Sequence, residues 1–338
     1  MNKQKDKIDI AVLGAGSWGT ALACLLADNG HHVSLWSHSK EHLENMQKDQ
    51  MNNRHLPGIS LPRNLAFQSD LTLICQENLY FLIVVPSRAF SETLDKLIDA
   101  GIQEGSVIMW GTKGFDSTSQ QLLSHLVEEK FQFPHKQAVV SGPSFAVEVM
   151  QKYPTALTAG SHDIETAQSI AGLFHNDYVR VYANSDIAGV QVGGAVKNVL
   201  AIACGISDGL GFGANARSAL ITRGLSEIKR LGEKLSADSN TFQGLSGIGD
   251  LVLTCTDDKS RNRRFGLAIG KGQKTIPEIL DDIGQEVEGL VTSKEVMMMA
   301  RKYNVEMPIC EQVYNIIHSG VAPDIAVKTL LERAAAFE

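Results

Sequence analysis

The chain has 338 residues, 43% of them hydrophobic, and a formal charge of −7 with a pI near 5.8. That length suits two ordinary cores better than one, and the acidic balance offers no field to draw in nucleic acid or an anionic membrane surface, so any phosphate has to be bound locally. Cys24, Cys75, Cys204, Cys255 and Cys310 are odd in number, far apart and never in a C-x-x-C pair, which argues against a disulfide framework or a zinc site and for a reducing compartment. Residues 1–7 are polar and unlike a secretory leader. No apolar run is expected to reach the roughly 18 residues of a membrane span. A soluble, cytoplasmic protein without a metal is the expectation.

Residues 8–13 form a short apolar run, followed by Gly14-Ala15-Gly16-Ser17-Trp18-Gly19, an Ala- and Leu-rich stretch over 20–28, and Asn29-Gly30. This pattern predicts strand, tight turn, helix and C-cap. Further strands are predicted over 32–36, 80–85, 106–110 and 138–141, with helices over 87–99 and 119–129. Two more strands, 155–159 and 179–182, flank a helix over about 164–174. The near-continuous apolar run Phe81-Leu82-Ile83-Val84-Val85 implies burial on both faces, as in a parallel sheet covered by helices. The fold class is therefore α/β, a doubly wound Rossmann-like sheet over 1–184. From 185 to 338 the chain turns to Ala-, Gly-, Leu- and Met-rich stretches at helical spacing (187–205, 217–235, 293–302), which predict an all-α second domain. The cleft between two such domains is the expected ligand site.

A lone G-x-G-x-x-G occurs by chance in many chains. Here it follows an apolar strand, opens a helix and precedes a second strand, the context in which it binds a dinucleotide rather than forming a plain structural turn. Gly14 permits the turn, Gly16 lets a pyrophosphate approach the backbone, and Gly19 allows close helix-to-strand packing. NAD sites usually carry an acid at the end of the second strand. This chain has Trp36-Ser37-His38-Ser39-Lys40 there, so NADP is favoured, with NAD possible, unless these residues form only a solvated loop.

Lys197 lies among small and apolar residues in Gly193-Gly194-Ala195-Val196-Lys197-Asn198. It either snorkels or is kept for acid-base work, for which burial would lower its pKa. Asp250, closing the glycine-rich Gly244 to Gly249 turn, pairs with an amine or caps the following segment. Ser260-Arg261-Asn262 is suited to a phosphate, while Arg263 and Arg264 extend it or form a solvated surface run. Lys113, in Trp110-Gly111-Thr112-Lys113-Gly114, follows a strand's carboxyl end, where open α/β sheets bind ligands. Ser141-Gly142-Pro143-Ser144 occupies the same rim, as a backbone N–H site or merely a turn.

GAGSWGTALA (14–23), VVPS (84–87), GTKG (111–114), SGPSFAVEV (141–149), VGGAVKNVLAIACGISDGLG (192–211), GLSGIGDLVLTC (244–255) and SRNRRFG (260–266) together resemble the soluble, bacterial-type NAD(P)-dependent glycerol-3-phosphate dehydrogenases over nearly the whole chain. The resemblance implies reversible reduction of dihydroxyacetone phosphate to sn-glycerol 3-phosphate, feeding phospholipid synthesis, in a homodimer. It implies Lys197 as catalytic acid and base, and Lys113, Asp250, Ser260, Arg261 and Asn262 as substrate contacts, with Lys113 and Arg261 also reaching the cofactor. Ser17, Trp18, His38, Gly142, Ser144 and Ala146 match cofactor contacts, Gly142 and Ser144 also counting among the substrate residues. Glu286 and Glu288 fall in a segment that closes over the cofactor, and Glu286 departs from the apolar residue expected there. The competing readings are a related lysine-using dehydrogenase, such as one acting on 6-phosphogluconate, and a non-catalytic NADP sensor.

Overall fold

The structure, a computed structural model, describes residues 7–333. The expectation placed on residues 1–7 therefore lies, but for Lys7, outside the described residues. The chain divides into two compact units, Met1–Thr112 with Leu122–Ile187, and Lys113–Gln121 with Ala188–Glu338.

The first unit is built on eight strands: β1 (Asp9–Leu13), β2 (His32–Trp36), β3 (Leu65–Phe67), β4 (Tyr80–Ile83), β5 (Val107–Trp110), β6 (Lys136–Ser141), β7 (Thr155–Gly160) and β8 (Val179–Asn184). They lie in the order β3-β2-β1-β4-β5-β6-β7-β8. Every pair is parallel except β6 with β7. The apolar strand cores predicted this burial: Ile10 to Leu13, Phe81 to Ile83 and Val107 to Trp110 are enclosed on both faces. Strand order reverses at β1, which has β2 on one side and β4 on the other. Such a switch point opens a crevice at the carboxyl ends of the strands.

Short polar side chains start several helices of this unit. Ser39 caps α2 (Lys40–Asp49), Asp70 caps α3 (Leu71–Glu77) and Asp163 caps α7 (Ile164–Phe174), each accepting from backbone N–H groups of the first turn. By contrast α1 (Ser17–Asp28) begins at Gly16 with no side-chain cap. The other helices are α4 (Ser87–Asp99), α5 (Leu123–Lys130) and α6 (Ala146–Met150). The helix predicted from 119 starts later because the Asp116 carboxylate accepts both N–H and Oγ–H of Ser119, at 2.6 and 2.7 Å, and winds 116–121 into a bridged turn.

In the second unit, strand-free among its described residues, α8 (Ile187–Gly209) is the central helix, followed by α9 (Ala214–Lys234), a 3-10 turn (Ser239–Gln243), a π turn (Leu245–Gly249) and α10 (Asp250–Thr256). Then come α11 (Arg261–Lys271), α12 (Ile276–Ile283), α13 (Glu288–Lys302), α14 (Pro308–Ser319) and α15 (Pro323–Leu331). Against expectation, α8 is apolar and long enough to cross a membrane, but 94% of its most apolar window is buried in protein. It is a core helix, and α11 crosses it backbone to backbone. A Cβ on Gly205 would lie 2.1 Å from the Arg263 carbonyl oxygen, and one on Gly266 2.1 Å from that of Ile202. Gly209 and Gly270 continue the same contact one turn on. Small residues four apart on both helices permit this approach.

Candidate active site

In the first unit the glycine turn is pinned at the switch point. Gly14 N–H donates to Trp36 O at 2.9 Å, and Val84 N–H to Leu13 O at 2.8 Å. Gly14 has φ +124°, and a Cβ there would meet Val84 O at 2.2 Å, while one on Gly19 would meet Gly14 O at 1.9 Å. Both positions exclude a side chain. Beside Gly16, in contrast, a Cβ would find nothing within 4 Å. The first turn of α1 carries no acid, and its N-cap residue no side chain. Uncapped N–H groups, the positive helix end and open space at Gly16 fit the pyrophosphate of a dinucleotide. Around them, the Ala15 carbonyl is held by Asn52 Nδ2 at 3.0 Å and by His42 Nε2 at 3.3 Å, and Ser17 Oγ donates to His55 O. Trp18 Nε1 is buried without a partner.

In the second unit a lysine pair surrounds one carboxylate. A Cβ on Gly193 would lie 2.2 Å from Ser246 O, so the π turn rests directly on α8 and delivers the start of α10 beside Lys197, one helical turn along. Lys197 Nζ donates to Asp250 Oδ1, and to Thr254 Oγ1 at 3.1 Å. Lys113 Nζ donates to the other oxygen, Oδ2, at 3.4 Å. Asp250 thus begins α10 as an ion-pair partner and not as its N-cap, which is Gly249. Lys197 and Asp250 are only 5% and 1% exposed. Burial, with Lys113 beside it, pushes Lys197 down to about 8, against the pull of Asp250. Burial acts the same way on Lys113, but there Asp250 and Glu288 outweigh it and hold the ammonium above its ordinary value. Two cations share one buried anion, an arrangement that suits an anionic ligand.

The Ser260-Arg261-Asn262 triplet forms the start of α11, and its members differ in surroundings. Ser260 Oγ accepts from Arg263 N–H at 3.2 Å and caps the helix. Asn262 Nδ2 donates to Asn198 Oδ1 at 3.0 Å, and its Oδ1 accepts Gly289 N–H at 2.9 Å. One Nδ2–H remains for a ligand. Arg261 is half-buried, its Nη1 3.4 Å from Gln285 Oε1. The two arginines that the sequence leaves open differ: Arg263 is buried, whereas Arg264 is exposed.

Two family models match the chain in order, the NAD-dependent glycerol-3-phosphate dehydrogenase N-terminus over residues 9–167 and the C-terminus of the same enzyme over residues 186–328. A curated glycerol-3-phosphate dehydrogenase (NAD(P)+) from Legionella pneumophila (strain Corby) is 50% identical over 330 residues, covering 98% of this chain and 99% of its own. The chain belongs to the NAD-dependent glycerol-3-phosphate dehydrogenase family. Among solved structures, the glycerol-3-phosphate dehydrogenase of Coxiella burnetii is 46% identical with a TM-score of 0.93, covering 97% of this chain and 99% of that one. The yeast enzyme is 27% identical with a TM-score of 0.82, covering 97% and 100%. Membership makes the chain an oxidoreductase working with a nicotinamide dinucleotide.

The remaining residues that match the family's pattern sit as follows. His38, just beyond β2, is exposed. Gly142, at φ +133°, follows β6, and its carbonyl accepts from Ser144 Oγ at 3.0 Å. Ala146 opens α6 and Glu286 is half-buried before α13. Glu288 begins α13 and accepts Asn198 Nδ2 at 3.1 Å. Three residues escaped the sequence reading. Thr254 is four residues beyond Asp250, a helical spacing that signals a shared face. Asn198, next to Lys197, bridges Glu288 and Asn262. Glu295, 2% exposed, accepts Phe115 N–H at 3.1 Å and so holds the loop bearing Lys113. In the sequence it follows Thr292-Ser293-Lys294 and gives no signal of burial.

Proposed function

We propose that this protein catalyses the reversible reduction of dihydroxyacetone phosphate to sn-glycerol 3-phosphate, with Lys197 as the general acid. The observation that carries the proposal is the Lys197–Asp250–Lys113 cluster around a buried carboxylate, joined to the Ser260-Arg261-Asn262 turn by the Asn262 to Asn198 hydrogen bond next to Lys197. When bound, the nicotinamide supplies the hydride. Lys197, lowered to about 8, gives its Nζ proton to the carbonyl oxygen as negative charge gathers there, and takes it back in oxidation. Asp250 and Thr254 fix the direction of that ammonium. Lys113 keeps its charge and stabilises the developing alkoxide. Arg261 and the free Nδ2–H of Asn262 hold the phosphate, so its binding energy orients the carbonyl.

Gly14, Gly16, Ser17, Trp18 and Gly19 hold the dinucleotide, with His38, Ala146, Lys113, Arg261, Glu286 and Glu288 as further contacts. Gly142 and Ser144 serve the rim of the site. NADP is the preferred form: residues 36–40 carry no carboxylate to repel a 2′-phosphate, and His38 and Lys40 are exposed donors. Residues 185–338 act as the substrate-binding and catalytic part, in a cytoplasmic homodimer whose product enters glycerophospholipid synthesis. The test is oxidation of NADPH with dihydroxyacetone phosphate, repeated with NADH and with 6-phosphogluconate and NADP. Turnover of the triose phosphate, more efficient with NADPH, is expected. Turnover of the sugar acid alone, or cofactor binding without turnover, overturns the substrate; equal or better efficiency with NADH overturns the cofactor preference.

A further inference from the structure

Arg263 carries no role in the chemistry above, yet it is among the most heavily engaged side chains of the second unit. Its Nη2 donates to Asp208 Oδ2 at 2.6 Å, its Nη1 to Asp258 Oδ1, and its Nε to the Cys255 carbonyl at 3.1 Å. The guanidinium side chain is 9% exposed. Asp208, near the end of α8, is itself held by Arg217 Nη1 at 3.0 and 2.9 Å to its two oxygens. Arg263 thus ties α8, which carries Lys197, to the end of α10, which carries Asp250 and Thr254. It does so from the third residue of α11, whose first two are Arg261 and Asn262.

We infer that Arg263 is a positioning residue for the phosphate grip, fixing the rotation of the first turn of α11 through Asp208 and the Cys255 carbonyl. A solvated surface arginine would have no need of the buried Cys255 carbonyl and the largely enclosed Asp208 carboxylate; the third partner, Asp258, is exposed. A guanidinium sunk this far persists only with its donors satisfied, and satisfying them here dictates where residues 261 and 262 stand. The glycine contact between α8 and α11 sets their distance, Asn262 ties the first turn of α11 to Asn198 on α8, and Arg263 adds an off-axis hold on that turn through Asp208 and the Cys255 carbonyl. Asp208, Asp258 and Arg217 are the charged groups facing it. The inference rests on the reading of residues 260–262 as the phosphate site.

The experiment compares Arg263→Gln, Arg263→Lys and Asp208→Asn with the wild type, using dihydroxyacetone phosphate and unphosphorylated dihydroxyacetone with NADPH. Arg263→Gln is expected to raise KM for the phosphorylated substrate by about tenfold or more with kcat little changed. Any turnover of unphosphorylated dihydroxyacetone at saturating NADPH should stay as in the wild type. Arg263→Lys should recover part of the loss, and Asp208→Asn should move KM the same way without adding to Arg263→Gln in the double variant. Equal losses on both substrates, or an unchanged KM, overturn the inference. Should Arg263→Gln fail to fold, Asp208→Asn decides by the same criterion. If the wild type leaves dihydroxyacetone phosphate untouched, the proposed function has failed, and the positioning role is read from inorganic phosphate. Phosphate must then stabilise the wild type against heat more than Asp208→Asn, and equal stabilisation overturns the role.

Discussion

Asp250 answers the buried Lys197 ammonium and the partly buried Lys113 ammonium with one carboxylate, so its removal leaves both uncompensated. Breaking a buried pair in this way costs about 3–5 kcal/mol. Asp250→Ala should lose stability of that order in denaturant melts, and a loss below about 1 kcal/mol would show that the cluster is solvated or already neutral. The same burial sets the pH behaviour. With Lys197 as the proposed acid, kcat/KM for reduction should hold below about 8 and fall by about tenfold per pH unit above it. Oxidation needs the free amine and should rise through the same region. A reduction rate flat to pH 10 would remove Lys197 from proton transfer. At this scale the sequence was legible where a charge sits among small apolar neighbours, as at Lys197. It was silent at Glu295, whose partner Phe115 lies 180 residues away, and undecided at Arg263 and Arg264, because adjacent arginines read alike until a helix turns one inward and the next, about 100° round, to solvent.

Among the elements, the α8–α11 crossing sets Lys197 on α8 against the start of α11, where the phosphate is proposed to bind. Gly266→Ala would push a methyl to 2.1 Å from the Ile202 carbonyl, and overpacking of this kind costs about 1–3 kcal/mol. A lowered Tm and a raised KM for the phosphorylated substrate are expected together; an unchanged Tm would mean that the helices separate freely. Glycines four apart in 205–209 and 266–270 were visible in the sequence, but nothing there said that they face each other. Strong periodicity made α1, α4 and α7 legible, as did the apolar strands β1, β4 and β5. The three-residue β3 has too little pattern to detect. The direction of β7 was also hidden, since strand sense follows from how α6 turns the chain and not from composition. Asp116, acting locally, moved the start of α5 to Leu123.

For the whole molecule, the strand order around β1 and the uncapped α1 fit a dinucleotide, while the helical unit gathers around α8 the groups proposed for proton transfer and phosphate binding. The second unit also claims residues 113–121, so the Lys113 loop, read from the sequence as the rim of the sheet, belongs with the lysine cluster. Short-range patterns could not reveal that, because it depends on contacts with Asp250 and Glu295. The central claim is that one buried lysine completes the reduction. The direct measurement is steady-state NADPH oxidation by dihydroxyacetone phosphate in the wild type and in Lys197→Ala, with NADPH affinity measured on both. A loss of about 10²–10⁴ in kcat at unchanged NADPH affinity is expected. Near-normal turnover in the variant would contradict that claim.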